Sequence, residues 1–143
     1  MILDSGILFA LADRDDSHHR AAAAVLALPD PKTVPEPVVV ETDWMILRYL
    51  GVEAEIAFLR SLDEDSFAIE APNTSDRRRA LELVETYRDA HLGYVDAATI
   101  AIAERLRETR IATVDRRDFS LVRPRHVEAF ELLPQRPTDP SAR

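Results

Sequence analysis

Short apolar runs alternate with longer segments of helical spacing along this chain. Met1-Ile2-Leu3 closes on Asp4 and predicts a very short strand, Met1–Asp4. Ile7-Leu8-Phe9-Ala10-Leu11-Ala12 is long enough for a short helix. Asp13–Asp16 is a charged turn, and Ser17 is placed to cap an Ala-rich helix, His18–Leu28, stopped by Pro29-Asp30-Pro31. Val34 ends a second strand before Pro35-Glu36-Pro37, where proline pre-sets the first turn of a helix over Val38–Leu50 that stops at Gly51. A helix over Glu53–Leu62 and a strand over Phe67–Glu70 follow. Thr74, Ser75 and Asp76 cap a long helix, Arg77–His91, with Leu81, Val84, Tyr87 and Leu92 on its expected core face and Gly93 as its stop. A helix over Asp96–Arg107, a strand over Ile111–Val114 and a last strand near Val127–Leu133 complete the pattern, before a Pro-rich tail, Pro134–Arg143, expected to be flexible. Strands alternating with helices predict an α/β domain over residues 1–133 with a mostly parallel sheet.

Composition removes several chemistries. The 143 residues suit one domain, and 46% hydrophobic with 31% charged residues describes a soluble protein. No cysteine means no disulfide, no thiolate zinc site and no cysteine nucleophile. Three glycines, Gly6, Gly51 and Gly93, leave no room for a glycine-rich nucleotide loop. His18 and His19 are adjacent, and His91 and His126 stand alone, so a histidine zinc site is not expected. Ser5 lacks the Gly-x-Ser-x-Gly elbow of a nucleophile. A phospho-receiver domain needs a lysine near its end, and the only lysine is Lys32. The start carries no basic segment or cleavable apolar stretch and no run spans a membrane, so the expected location is the cytoplasm.

The net charge of -8 argues against nucleic-acid binding over the whole surface, but the charge is uneven. Residues 1–76 hold 5 basic and 15 acidic side chains, whereas residues 77–143 hold 13 and 11. Four acids occupy places that core formation does not explain. Asp4 and Asp115 end strands, Asp96 begins a helix, and Glu41 follows three valines at a core-like helix start. In a parallel α/β sheet, strand C-termini and helix N-termini share the edge that binds ligands. Read singly, Asp4 and Asp96 are also plausible helix N-caps and Asp115 a turn former. Four carboxylates on one edge repel one another, and a hard divalent cation such as Mg²⁺ or Mn²⁺ relieves that conflict. The chemistry expected is metal-assisted phosphoryl transfer.

These residues sit in Ile-Leu-Asp-Ser-Gly, Val-Val-Val-Glu-Thr-Asp, Leu-Gly-Tyr-Val-Asp-Ala-Ala-Thr-Ile-Ala and Ala-Thr-Val-Asp-Arg-Arg-Asp-Phe. The four-part pattern resembles PIN-domain nucleases, and the VapC toxins of type II toxin–antitoxin systems in particular, from Met1 to about Leu133. The resemblance implies a three-layer α/β/α fold, Mg²⁺- or Mn²⁺-dependent endoribonuclease activity on tRNA or rRNA, a homodimer and a VapB-type antitoxin that blocks the site. It carries the catalytic acids to Asp4, Glu41, Asp96 and Asp115, with Asp4, Asp96 and Asp115 as main metal ligands. Ser5 and Asp118 match auxiliary positions, Thr113 is a candidate support for Asp115, and Gly6 stands where many members have a second Ser or Thr. Arg116 and Arg117 are the candidates for RNA phosphates; the run Arg77-Arg78-Arg79 is expected to be a solvated helix start, with contact to RNA or antitoxin as its other reading. Trp44 and Leu47, one turn apart, are expected in the core. The competing functions are a non-catalytic PIN-fold binding module and another metal-dependent phosphohydrolase.

Overall fold

In the computed structural model, which describes residues 1–63 and 67–135, the strands are only two or three residues long. The elements run β1 (Ile2–Leu3), α1 (Ser5–Ala12), α2 (His19–Leu26), β2 (Thr33–Pro35), α3 (Glu36–Leu50), α4 (Val52–Asp63) and β3 (Ala68–Glu70). Then come α5 (Thr74–Thr86), α6 (Tyr94–Leu106), β4 (Arg110–Ala112), α7 (Arg117–Leu121) and β5 (Glu131–Leu133). The sheet is parallel throughout in the order β3-β2-β1-β4-β5, so β1 is its centre, with Ile2 opposite both Thr33 and Ile111.

Alternation along these strands feeds two cores. Ile2, Ile111 and Leu132 pack with Ala80 and Leu83 of α5, the Ala97–Ala103 stretch of α6, and Phe119. Leu3, Val34, Ala112 and Leu133 pack with α1, α2, α3 and Phe58 of α4. Helices therefore cover both faces, which gives the three-layer α/β/α arrangement and explains why the strands read as unbroken apolar runs. All seven residues from Ala97 to Ala103 are buried, since the alanines let α6 lie close to its neighbours.

Several sequence expectations move. Ser17 does not cap α2; His18 is the N-cap residue and makes no capping hydrogen bond, because the chain enters through a turn in which Asp16 Oδ1 accepts from the His18 amide. Helix α5 is capped by Asn73, whose side chain accepts from the Asp76 amide while Asp76 accepts from the Asn73 amide. It ends at Thr86, and a separate 3-10 turn, Arg88–Ala90, leads to His91 in left-handed backbone. Leu81 faces solvent; the buried face of α5 is Asp76, Ala80 and Leu83. The last strand covers only Glu131–Leu133, preceded by bends. Gly51, at φ +90, is the stop of α3 that its sequence position suggested. The tail from residue 136 onward lies outside the described residues.

Candidate active site

The central strand delivers Asp4 directly to the C-terminal edge of the sheet. Its amide still donates to Ala112 of β4, 2.9 Å away, while the next residue already starts α1. Asp4 occupies the N-cap position of that helix, yet its side chain makes no capping hydrogen bond. Its Oδ2 instead accepts from the Thr113 hydroxyl at 2.8 Å, and its Oδ1 is buried with no partner. Asp96, unlike Asp4, is not at an N-cap: Gly93 holds that position of α6, and Asp96 sits in the first turn.

Glu41 lies in the second turn of α3, because that helix begins at Glu36, two residues earlier than its valine run suggested. It is half-buried: Val38 packs inward while Val40 is exposed, so only part of the valine run belongs to the core. Its Oε2 accepts from the Ser5 hydroxyl at 2.6 Å. Asp115 does not end a strand, since β4 stops at Ala112 and Thr113 and Val114 intervene. Thr113 reaches Asp115 at its main-chain oxygen, 2.7 Å away, and so ties this loop to Asp4. Asp118 lies within hydrogen-bonding reach of Asp96 and carries a buried Oδ1 that makes no hydrogen bond.

The electrostatics show that these groups form one cluster. Burial pushes the Asp4 carboxyl up to about 6; the Thr113 hydroxyl and the Ser5 amide pull the other way, and Glu41 and Asp115 add repulsion. Burial also raises Asp96, to about 7, with repulsion from Asp4, Asp118 and Glu41 behind it. Asp4 thus feels Glu41 and Asp115, and Asp96 feels Asp4, Glu41 and Asp118, which joins the five carboxylates pairwise along one edge.

Two buried oxygens without a hydrogen bond, Asp4 Oδ1 and Asp118 Oδ1, the latter 3.7 Å from the Arg117 guanidinium, are what a hard cation satisfies, and the all-oxygen donor set fits Mg²⁺ or Mn²⁺. Among the described residues no three such groups converge at coordinating distance as they stand.

Gly6 has a steric role at this edge. A Cβ there would overlap Val114 Cγ2, so the start of α1 lies directly against the loop between Thr113 and Asp115. A second Ser or Thr at this position has no room unless Val114 shifts. We expect Gly6→Ala to disturb the acid edge and to cost about 1–3 kcal/mol in urea unfolding through overpacking. The double variant Gly6→Ala/Val114→Ala should recover most of that stability, and an equally destabilised double variant would remove Gly6 from this role.

The arginines separate by location. Arg116 donates to the carbonyls of Pro134 and Leu132, at 2.7 and 3.0 Å, and so secures the end of β5. Arg117 is exposed beside the acids; its amide donates to Asp115 Oδ1 at 3.1 Å and its guanidinium to the Ala90 carbonyl. The run Arg77–Arg79 starts α5 beside the far end of α6, where Arg105 pairs with Asp76. Arg79 clasps both oxygens of Glu104, at 2.8 and 2.9 Å. This run therefore lies at the opposite end of α6 from Asp96.

Trp44 and Leu47 are not core residues. They are 60% and 46% exposed and, with Val40, form an apolar stripe along α3, because Val38, Thr42 and Ile46 take its buried side. Helical spacing alone cannot say which of two apolar stripes faces inward. A cleft of about 760 Å³ between α1, the end of α2 and α4 is lined by none of the clustered acids Asp4, Glu41, Asp96, Asp115 and Asp118.

A PIN domain family model matches residues 1–123. This chain belongs to the PIN-domain family. Within the family it is 33% identical over 135 residues to Ribonuclease VapC26 of Mycobacterium tuberculosis (strain ATCC 25618 / H37Rv), an alignment covering 94% of this chain and 100% of that protein. It belongs with the VapC ribonucleases. Its fold matches the crystal structure of Mycobacterium tuberculosis VapC20, a sarcin–ricin loop cleaving toxin, with a TM-score of 0.77 at 19% identity over 82% of this chain and 91% of that one. It also matches Rickettsia felis VapBC2, bound to a DNA fragment from its promoter, with a TM-score of 0.67 at 14% identity over 92% and 96% of the two chains.

Proposed function

We propose that this PIN-domain protein is the toxin of a VapBC-type pair, a divalent-metal-dependent endoribonuclease that cleaves tRNA or rRNA. The observation that carries this is the cluster itself: Asp4 and Asp96 raised to about 6 and 7, with a buried oxygen on Asp4 and one on Asp118 that make no hydrogen bond. A binding module gains nothing from holding repelling carboxylates together, whereas clustered perturbed acids are what a catalytic edge requires.

Asp4, Asp96 and Asp115 are the residues to hold Mg²⁺ or Mn²⁺, with Asp118 beside them. The bound ion would supply Lewis acidity at the scissile phosphate and lower the pKa of water. Thr113 fixes Asp4 and the Asp115 loop with one hydroxyl, so a change at either is felt by the other. Glu41, steadied by Ser5, is the carboxylate placed to accept the proton of the attacking water. The new bond joins the water oxygen to phosphorus, the bond from phosphorus to O3′ breaks, and a proton passes to O3′. The products end in a 5′-phosphate and a 3′-hydroxyl. Arg117 is the cation beside the acids to receive a neighbouring RNA phosphate.

The expected partners are a VapB-type antitoxin and a second copy of the chain, with the exposed stripe Val40, Trp44 and Leu47 as the surface for the homodimer. No helix among the described residues is long and apolar enough to cross a membrane, and the cytoplasm, where these RNAs reside, is the proposed location.

The test is incubation of the purified chain with tRNA and ribosomal RNA, with Mg²⁺ or Mn²⁺ and then with chelator, followed by mapping of the new ends. Site-specific cuts with 5′-phosphate ends that vanish with chelator are expected. A 2′,3′-cyclic phosphate would overturn the water-attack chemistry, and metal-independent cutting would overturn the role of the acids. Light scattering on the same preparation should give twice the chain mass, falling to the monomer for Trp44→Glu.

A further inference from the structure

Four exposed residues of α3, Glu36, Val40, Trp44 and Arg48, follow one another at intervals of four. A step of four residues turns a helix by only about 40°, so the four side chains line one ridge, about 18 Å long from Glu36 to Arg48. Leu47 lies alongside that ridge, and Val38, Thr42 and Ile46 take the buried side of the helix. Among the described residues neither Glu36 nor Arg48 enters an ion pair. The ridge therefore carries two free charges, one at each end, with two exposed apolar side chains between them.

The order along the ridge is acid, apolar, apolar, base, and in reverse it is base, apolar, apolar, acid. Such a ridge is complementary to a second copy of itself laid antiparallel. A two-fold axis at the level of Thr42 sets Glu36 against the partner's Arg48 and Val40 against the partner's Trp44, and symmetry repeats both contacts. A parallel arrangement sets Glu36 against Glu36 and Arg48 against Arg48, with like charges at both ends. Helices packed through their i, i+4 ridges cross at about 50°, the commonest class in globular proteins. The helix dipole alone accounts for an acid in the first turn and a base in the last. It does not account for Val40 and Trp44, 66% and 60% exposed, in the same ridge.

We propose that α3 packs against α3 of a second copy in this antiparallel register, with Val40 and Trp44 as its apolar centre and two Glu36–Arg48 ion pairs as its ends. This rests on the homodimer reading above and adds what fixes the orientation of the second copy. The tryptophan supplies most of the adhesion, as large aromatic residues do at interfaces. The charges select the register, because every other alignment of the two ridges leaves them unpaired or opposed. The axis passes one residue from Glu41, so the acid edges of the two copies flank it.

The test is the dimer dissociation constant of the full chain by sedimentation equilibrium at low salt. Glu36→Arg and Arg48→Glu each set like charges together at both ends of the pairing and should weaken the dimer about 10-fold or more. The double variant Glu36→Arg/Arg48→Glu restores opposite charges across the axis and should return to within about threefold of the parent. Mixing the two single variants should give dimers at a concentration where each alone is monomeric. A role confined to the helix dipole predicts the reverse for the double variant, because the penalties of the two swaps add within one helix. High salt should narrow the differences among these proteins, since exposed charges are screened. Single variants as tight as the parent, or a double variant weaker than either single one, overturn this register and leave the homodimer standing. A parent chain that stays monomeric at the highest concentration overturns the homodimer reading itself and leaves the antitoxin as the occupant of the stripe.

Discussion

Asp96→Asn should lower RNA cleavage by three or more orders of magnitude, as loss of one member of a concerted site usually does. In the metal-free protein the same substitution should raise stability. These effects have opposite signs because they share one origin. Asp96 is raised to about 7 by burial and by repulsion from Asp4, Asp118 and Glu41, so its charge is unfavourable until a cation arrives. Asparagine keeps the shape and removes the charge. Asp4→Asn should behave alike, although it also alters the acceptor that Thr113 serves. Cleavage assays beside thermal melts in chelator at pH 8 check both halves. Near-parent cleavage by either variant would remove that carboxylate from the mechanism. A lower melting temperature without metal would mean that the carboxylate holds the fold together.

A second large effect concerns pH. Asp4 and Asp96 both have folded-state pKa values above the ordinary carboxylate value of 3.8. Between about pH 4 and 7 the folded, metal-free protein therefore binds more protons than the unfolded chain, and its stability falls as pH rises through that window. For Asp4 alone, a rise to about 6 corresponds to roughly 3 kcal/mol, and Asp96 acts in the same direction. Melting in chelator should drop by about 10 °C between pH 4.5 and pH 8 for a domain of this size. Mn²⁺ should reverse the drop at pH 8 and do little at pH 4.5, because protons and cation compete for the same oxygens. Asp4→Asn and Asp96→Asn should each flatten the slope. A metal-free melting temperature that rises with pH over this range would contradict the charge cluster.

How much of this was legible in the sequence depended on how local each signal is. The α/β class and the parallel sheet follow from short apolar runs alternating with helical segments, since strands covered on both faces need no polar alternation. Gly51 as the stop of α3 is equally local, being a backbone matter of one residue. The edge position of Asp4 and Asp96 follows from topology alone, because parallel strands and the helices between them bring those termini together wherever the exact bounds fall.

What the sequence left open required knowing what packs against what. Trp44 and Leu47 carry the same helical spacing as Val38, Thr42 and Ile46; only the position of α3 against α1 and the sheet decides which stripe is inside. Asp118 was an auxiliary candidate until the fold set it beside Asp96, and Arg116 and Arg117, adjacent in sequence, diverge to β5 and to the acid rim. The closeness of Gly6 to Val114 exists only across the chain. Sequence by itself therefore determined the kind of fold and which acids to suspect, because periodicity and topology are carried by short stretches. The tertiary structure alone decided which acids share a field and which apolar stripe of α3 is inside, because distance and burial belong to segments far apart in the chain.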